Sequence, residues 1–176
     1  MNCGDTFASD KVLEDVRLAV KDGDYGMIYG DYSRDGIVRK QPETLTRFNM
    51  YRTILCHQSV FFNGRILRDQ KKYDTRYKIL ADYDLEQDMA KTLKSIHVDT
   101  VVCNFLGGGI SETREGLKQK DRDRKDIIAA HYSVPQRMGY CVLWHLTFPL
   151  IRRKLSESKN EKVRKRYQSL VNRING

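Results

Sequence analysis

Side chains capable of chemistry occur in four short segments of this 176-residue sequence, and carboxylates are prominent among them. Asp5 lies in MNCGDTF, and Asp82 and Asp84 lie in ADYD. A carboxylate can bind a hard cation or take a proton from a hydroxyl group. Aspartate also commonly caps helices, which is a purely structural role. The residue types alone therefore leave both kinds of role open for all three residues.

Two further segments add a histidine and a run of glycines. His57 and Gln58 lie in CHQSVFF, where a single histidine could contact a substrate or serve only the local structure. FLGGGIS contains glycines 107–109, which allow a close backbone approach and positive φ angles. Taken alone, the glycine run is a flexible turn, because it lacks the spacing of a dinucleotide-binding loop.

Hydrophobic periodicity predicts an α/β fold with a mixed sheet. Asp82 and Asp84 then lie in the first turn of a helix, where the helix dipole favours negative charge. His57 and Gln58 lie at the end of a strand, and the glycines follow a buried strand. The expected elements, in chain order, are a helix over 10–22, hairpin strands at 27–29 and 37–39, a strand over 53–62, a helix over 82–95, a strand over 98–106, and helices over 112–131, 136–155 and 158–174.

Taken in order, four stretches of the chain resemble the bacterial family 2 glycosyltransferases that build polysaccharides and have the GT-A fold. They are MNCGDTF, similar to the family's Leu-Asn-Ser-Gly-Asp-aromatic segment, then YGDY with CHQSVFF, then YDTRYKILADYDL, and finally FLGGGIS. The resemblance implies a partial GT-A domain over residues 1–115. This is the C-terminal, acceptor-side portion of the mixed-sheet domain, and a basic helical region follows it over 116–176.

The resemblance also implies a reaction. A sugar passes, with inversion, from a nucleotide-diphosphate sugar to a saccharide or lipid-linked acceptor during synthesis of cell-surface polysaccharide. Asp5 falls where GT-A enzymes bind Mg²⁺ or Mn²⁺, which neutralises charge on the leaving diphosphate. Asp82 falls on the family's catalytic base, and Asp84 is the nearby alternative. The substrate-binding residues implied are His57, Gln58, Gly107, Gly108, Gly109 and Ser111.

The net charge of +9 is confined to one end of the chain. Basic and acidic residues cancel over 1–111, so the excess lies in 112–176, which suits an anionic surface. Residues 136–155 combine apolar and basic side chains as interfacial membrane helices do, although they could instead pack on the domain. We expect a cytoplasmic protein, and contact with the inner face of the membrane stays open beside packing of 136–155 on the domain.

Other functional classes are disfavoured by the sequence. The four cysteines form no Cys-x-x-Cys pair and have no histidine at metal-ligand spacing, which argues against a structural zinc site and a disulfide scaffold. Neither a secretory signal nor an apolar run of bilayer-spanning length is present. A basic nucleic-acid-binding protein is the least favoured alternative, because no RNA-binding motif occurs, and no nucleic acid is expected as a partner.

The sequence opens directly on a motif, with no core strand before it. In the family, an N-terminal half carries the nucleotide-binding strands, so we expect that half to be missing. A partial domain exposes sheet edges and apolar surface, which predicts low stability or oligomerisation. A catalytically inactive fragment of such an enzyme therefore remains an alternative.

Overall fold

The computed structural model describes residues 4–20, 23–69, 72–146, 154–155, 158 and 160–175. They form an α/β structure with one mixed five-stranded sheet. The strands are β1 (Thr6–Phe7), β2 (Met27–Arg34), β3 (Ile37–Arg39), β4 (Val60–Phe62) and β5 (Ser95–Asn104). The helices are α1 (Val12–Val20), α2 (Arg47–Arg52), α3 (Gly64–Asp69), α4 (Ala81–Thr92), α5 (Arg114–His131), α6 (Val134–Leu146) and α7 (Glu161–Asn175).

Strand β2 is the centre of the sheet, because three other strands pair with it. β5 runs parallel along one side of β2, with Met27 opposite Ser95 at the start of the ladder. On the other side, β4 pairs antiparallel with the first half of β2, and β3 pairs antiparallel with the second half. β1 extends the sheet beyond β5 with a short antiparallel pairing.

Helices cover both faces of the sheet. Val12 and Val16 of α1 are buried against β5 on one face. On the other face, Leu85 and Met89 of α4 pack against Tyr29 of β2. Neighbouring residues of β2 point to opposite faces, as strand geometry requires. The sheet therefore fixes the position of α4, which carries the ADYD segment.

A third hydrophobic cluster lies between α4 and the helices that follow it. Tyr83 and Tyr132 are buried there together with Leu80 and Ile127. The hydroxyl group of Tyr83 donates to the backbone oxygen of Met50 at 2.6 Å, so its buried polar atom has a partner. This cluster holds the start of α4 against α5. The boundary expected between a domain over 1–115 and a region over 116–176 falls within α5.

The α/β class and the mixed sheet predicted from the sequence are confirmed. The helices expected over 10–22, 82–95, 112–131 and 158–174 are present with shifted ends. The helix expected over 136–155 begins at Val134 and is described as far as Leu146, and residues 147–153 lie outside the described ranges.

The strand predicted over 53–62 is wrong except at its end. His57–Ser59 form a single 3-10 turn, and only Val60–Phe62 pair in the sheet. The turn is held because the Ser59 hydroxyl donates to the backbone oxygen of Cys56 at 2.8 Å. His57 and Gln58 therefore lie in a turn that precedes a strand rather than at a strand end.

Candidate functional site

A cavity of about 360 Å³ opens where the chemically capable segments meet. The predicted site residues on its wall are Asp5, His57, Gln58, Asp82, Gly107, Gly109 and Ser111. These residues are distant in the sequence, and the fold brings them to one concave surface. Further side chains on the wall, which the sequence had not singled out, are Tyr32, Arg34, Lys78, Phe105, Glu112 and Lys120.

His57 and Asp82 form a pair in this cavity. Nδ1 of His57 lies 3.0 Å from Oδ2 of Asp82, and the two side chains are 40% and 19% exposed. The other carboxylate oxygen, Oδ1, accepts the backbone N–H of Tyr83 at 2.8 Å. The hydrogen bond to Asp82 raises the pKa of His57 above its usual value, although partial burial of the ring acts in the opposite direction. The pair thus favours a protonated imidazole beside a carboxylate.

The turn that carries His57 is fastened by Gln41, a buried residue that sequence reasoning missed. The Gln41 amide nitrogen donates to the Gly30 carbonyl oxygen at 2.6 Å and to the Ser59 hydroxyl at 2.9 Å. Its amide oxygen accepts the Cys56 N–H at 2.8 Å. One side chain thus ties the central strand to both ends of the turn, which orients His57 toward Asp82.

Asp84 lies on a different side of α4 and does not line the cavity. Its Oδ1 atom is 2.8 Å from Nε2 of His131, the last residue of α5. Nδ1 of His131 lies 2.6 Å from the Lys91 ammonium nitrogen. Asp84 therefore connects α4 to α5, and of the two ADYD carboxylates only Asp82 reaches the cavity.

The glycine loop adopts the unusual backbone that its composition predicted at two of its three positions. The φ angles of Gly107 and Gly108 are 77° and 75°, a region that favours glycine. Gly109 has a φ of −71°, which any residue adopts. A Cβ atom on Gly107 would also lie 2.8 Å from the Arg34 side chain.

An ion pair holds this loop against the sheet. The Arg34 guanidinium donates to both carboxylate oxygens of Glu112, at 2.7 and 3.0 Å, and it stacks over the ring of Phe105. Glu112 also accepts the Gly108 N–H at 2.9 Å. Binding to Arg34 lowers the pKa of Glu112, so this carboxyl stays charged. Ser111, in the 3-10 turn that ends at Glu112, is thereby held at the cavity wall.

Asp5, the predicted metal ligand, contacts the same loop. Its Oδ1 atom accepts the backbone N–H of Leu106 at 2.9 Å. The part of the chain that the structure describes contains no cluster of three His, Cys, Asp or Glu side chains that could hold a metal. Mg²⁺ is often bound by one or two carboxylates together with substrate phosphates. Asp5 therefore fits a cation shared with a diphosphate.

Glu86 is a buried acid on the same helix as Asp82, and the sequence analysis did not single it out. It lies one helical turn after Asp82, it is fully buried, and neither carboxylate oxygen has a hydrogen-bond partner within the described ranges. Burial, followed by the charge of Asp82, raises the pKa of Glu86 well above its usual value, and the nearby N–H of Leu55 opposes this only in part. An acidic residue on the apolar face of α4 is the sequence signal for it.

The fold and the cavity define an α/β protein with a histidine–aspartate pair facing a glycine-rich loop. No protein-family model matches the chain, and no similar curated protein was found.

Proposed function

We propose that this chain is the acceptor-side part of a GT-A glycosyltransferase. It takes part in the transfer of a sugar from a nucleotide-diphosphate sugar to a saccharide or lipid-linked acceptor in polysaccharide synthesis. The observation that carries the proposal is the convergence of separate motifs, represented by Asp5, His57, Asp82 and Gly107, on one cavity. A concave site in which a few polar groups meet is the usual form of a substrate-binding site.

Asp82 is the proposed proton acceptor. As the acceptor hydroxyl loses its proton to Asp82, its oxygen forms a bond to the anomeric carbon of the donor sugar. The bond from that carbon to the nucleoside diphosphate breaks on the opposite face, so the configuration inverts. Asp82 suits this role because its carboxylate lies at the cavity and is partly exposed.

His57 is proposed to work with Asp82 as one proton-binding unit. Because the hydrogen bond to Asp82 raises the pKa of His57, the pair takes up its proton at a higher pH than a free histidine does. The competent form is the carboxylate beside a neutral imidazole. We therefore expect transfer to become faster as the pH rises through the pKa of His57.

Asp5 is the proposed carboxylate for the Mg²⁺ or Mn²⁺ ion that accompanies the donor diphosphate. Such a cation neutralises the negative charge of the departing diphosphate. The hydrogen bond from Leu106 fixes the orientation of the Asp5 carboxylate and joins it to the loop that carries the glycines.

A membrane-surface role for α6 forms part of the proposal, because lipid-linked acceptors reside in the bilayer. One side of α6 exposes apolar side chains, which are Val134, Met138, Val142, Leu143 and Leu146. Together with the basic residues of 112–176, such a stripe suits the surface of an anionic membrane at its cytoplasmic face. Within the described ranges, no helix has both the length and the apolar character needed to cross a bilayer.

Calorimetric titration of the whole chain with a panel of nucleotide-diphosphate sugars and Mn²⁺ tests the proposal. We expect manganese-dependent binding that weakens about tenfold or more in Asp5→Ala. Asp10→Ala, which changes an exposed aspartate nearby, should bind as the parent chain does. No binding at millimolar donor, or equal binding by Asp5→Ala, would contradict the proposal.

A further inference from the structure

The acidic side chains on the cavity wall are already bound. Glu112 binds Arg34 with both carboxylate oxygens. Asp82 is bound by His57 at 3.0 Å and also by a backbone N–H. Asp5 accepts a backbone N–H from the glycine-rich loop.

Two cations on the same wall have no such partner. Lys78 and Lys120 both line the cavity, and neither forms an ion pair or a hydrogen bond with the described part of the chain. Lys120 lies close enough to Glu112 to help lower the pKa of that carboxyl, but Arg34 occupies both of its oxygens. Within the described residues, the cavity therefore presents two ammonium groups that form no ion pair or hydrogen bond.

A buried carboxylate holds these two lysines on one side of the cavity. Asp123 of α5 is 3% exposed, and its Oδ2 atom accepts the backbone N–H of Ile79, the residue after Lys78, at 2.8 Å. Gln119, the residue before Lys120, donates to Oδ1 of Asp123 at 2.7 Å. The segment that contains Lys78 is thus fastened to the turn of α5 that contains Lys120.

We infer that Lys78 and Lys120 form a binding site for a diphosphate group. Like charges held on one wall repel each other, and a multivalent anion with several oxygen atoms removes that repulsion. Lysine ammonium groups bind phosphate as point charges with several donors. Because Asp82 lines the same cavity, a ligand held here lies at the proposed site of transfer.

This inference rests on the proposed function and adds to it the residues that bind the diphosphate group of a substrate. The diphosphate can belong to the nucleotide-sugar donor or to a lipid-linked acceptor, since both carry the same group. In either case, the unpaired lysines predict that a neutral sugar alone binds more weakly than a diphosphate-bearing substrate.

Titration of the whole chain with inorganic pyrophosphate by calorimetry tests the site. We expect Lys78→Gln and Lys120→Gln each to weaken binding about tenfold. Lys125→Gln, which changes an exposed lysine of the same helix, should bind as the parent chain does. Affinity should fall as salt is added, because the contact is electrostatic. Absence of pyrophosphate binding by the parent chain, or equal affinity in the parent chain and in a variant that carries both lysine substitutions, would overturn the inference.

Two further titrations identify the source of the diphosphate. If the lysine variants lose affinity for a short prenyl diphosphate but not for a nucleoside diphosphate, the site serves a lipid-linked acceptor. If they lose affinity for the nucleoside diphosphate but not for the prenyl diphosphate, the site serves the donor. The chain could bind pyrophosphate through the lysines and yet bind no nucleotide sugar. That result would support this site and contradict the proposed function. If the chain binds a nucleotide sugar and the lysine variants keep the parent affinity for every diphosphate, only the lysine site is contradicted.

Discussion

Nδ1 of His57 lies 3.0 Å from Oδ2 of Asp82, although the two residues belong to different elements. His57 is in a 3-10 turn tied to β2 by Gln41, and Asp82 is in the first turn of α4. The contact therefore joins the sheet to α4 at the cavity. Because of this contact, the ionisation of His57, which can be measured in the folded chain, depends on Asp82, the proposed proton acceptor.

The stability of the chain should reflect this pair. Because the pKa of His57 is raised in the folded chain, the pair stabilises the fold below the usual histidine pKa, and the effect is lost as the pH rises through the raised value. His57→Gln should therefore lower the melting temperature more at about pH 5.5 than at about pH 9. The difference should stay under about 1 kcal/mol, since both side chains are partly exposed. His145→Gln is the control, and an equal deficit at both pH values would argue against the pair.

Glu86 should make the fold less stable as the pH rises from acidic to neutral. Its raised pKa means that the folded chain holds the proton more tightly than the unfolded chain does. Stability therefore falls with pH above the usual glutamate pKa. Glu86→Gln should match the parent chain at about pH 4 and melt at a higher temperature at about pH 7.

Glu115→Gln provides the matched control for Glu86, because Glu115 is exposed on α5. It should show no such pH-dependent gain in thermal melts followed by circular dichroism. A Glu86→Gln chain that is less stable than the parent at neutral pH would show that Glu86 is ionised and bound in the fold.

The three loop glycines should differ in their tolerance of alanine. Gly107→Ala combines a positive φ with a contact to Arg34, so it should lower the free energy of unfolding by about 1–2 kcal/mol or more. Gly108→Ala has the same backbone strain without the contact and should cost about 1 kcal/mol. Gly109→Ala should be neutral or slightly stabilising. Urea denaturation measures the series, and equal effects at all three positions would contradict the loop geometry.

The apolar side of α6 should bind vesicles that contain anionic phospholipid. Met138→Gln and Leu146→Gln replace side chains that are 67% and 66% exposed, so they should weaken vesicle binding without loss of stability. Leu117→Gln on α5 is the control, as it removes an exposed leucine from another helix. Co-sedimentation measures the binding. An absence of binding to anionic vesicles by the parent chain would end the membrane proposal.

Local patterns in the sequence were sufficient to predict the long elements. The signals are the apolar spacing of α1, the charged residues and good helix formers of α4 and α5, and the β-branched run of β5. α2 was missed because RFNMYR is too short for periodicity, and its only local signal is the side chain of Thr46, which accepts the Asn49 N–H.

Long-range hydrogen bonds explain what local patterns could not predict. The aromatic and β-branched residues of 53–62 favour a strand, but the bonds from Gln41 impose a turn on Cys56–Ser59. The pairing of His57 with Asp82 depends on how α4 packs on the sheet. The order of the motifs therefore predicted which segments carry the cavity residues. The hydrogen bonds by which Gln41 and Asp123 hold those segments in place could be identified only from the structure.

The rate of nucleoside diphosphate release tests the central claim most directly. It is measured with a nucleotide sugar that the chain binds, a saccharide acceptor and Mn²⁺, for the parent chain, Asp82→Asn and Asp84→Asn. If Asp82 is the proton acceptor, Asp82→Asn lowers the acceptor-dependent rate about 100-fold or more. Asp84→Asn keeps most of the rate and instead lowers the melting temperature, because it weakens the contact with His131. An Asp82→Asn chain that retains the parent rate, or a parent chain with no acceptor-dependent release, would contradict the account.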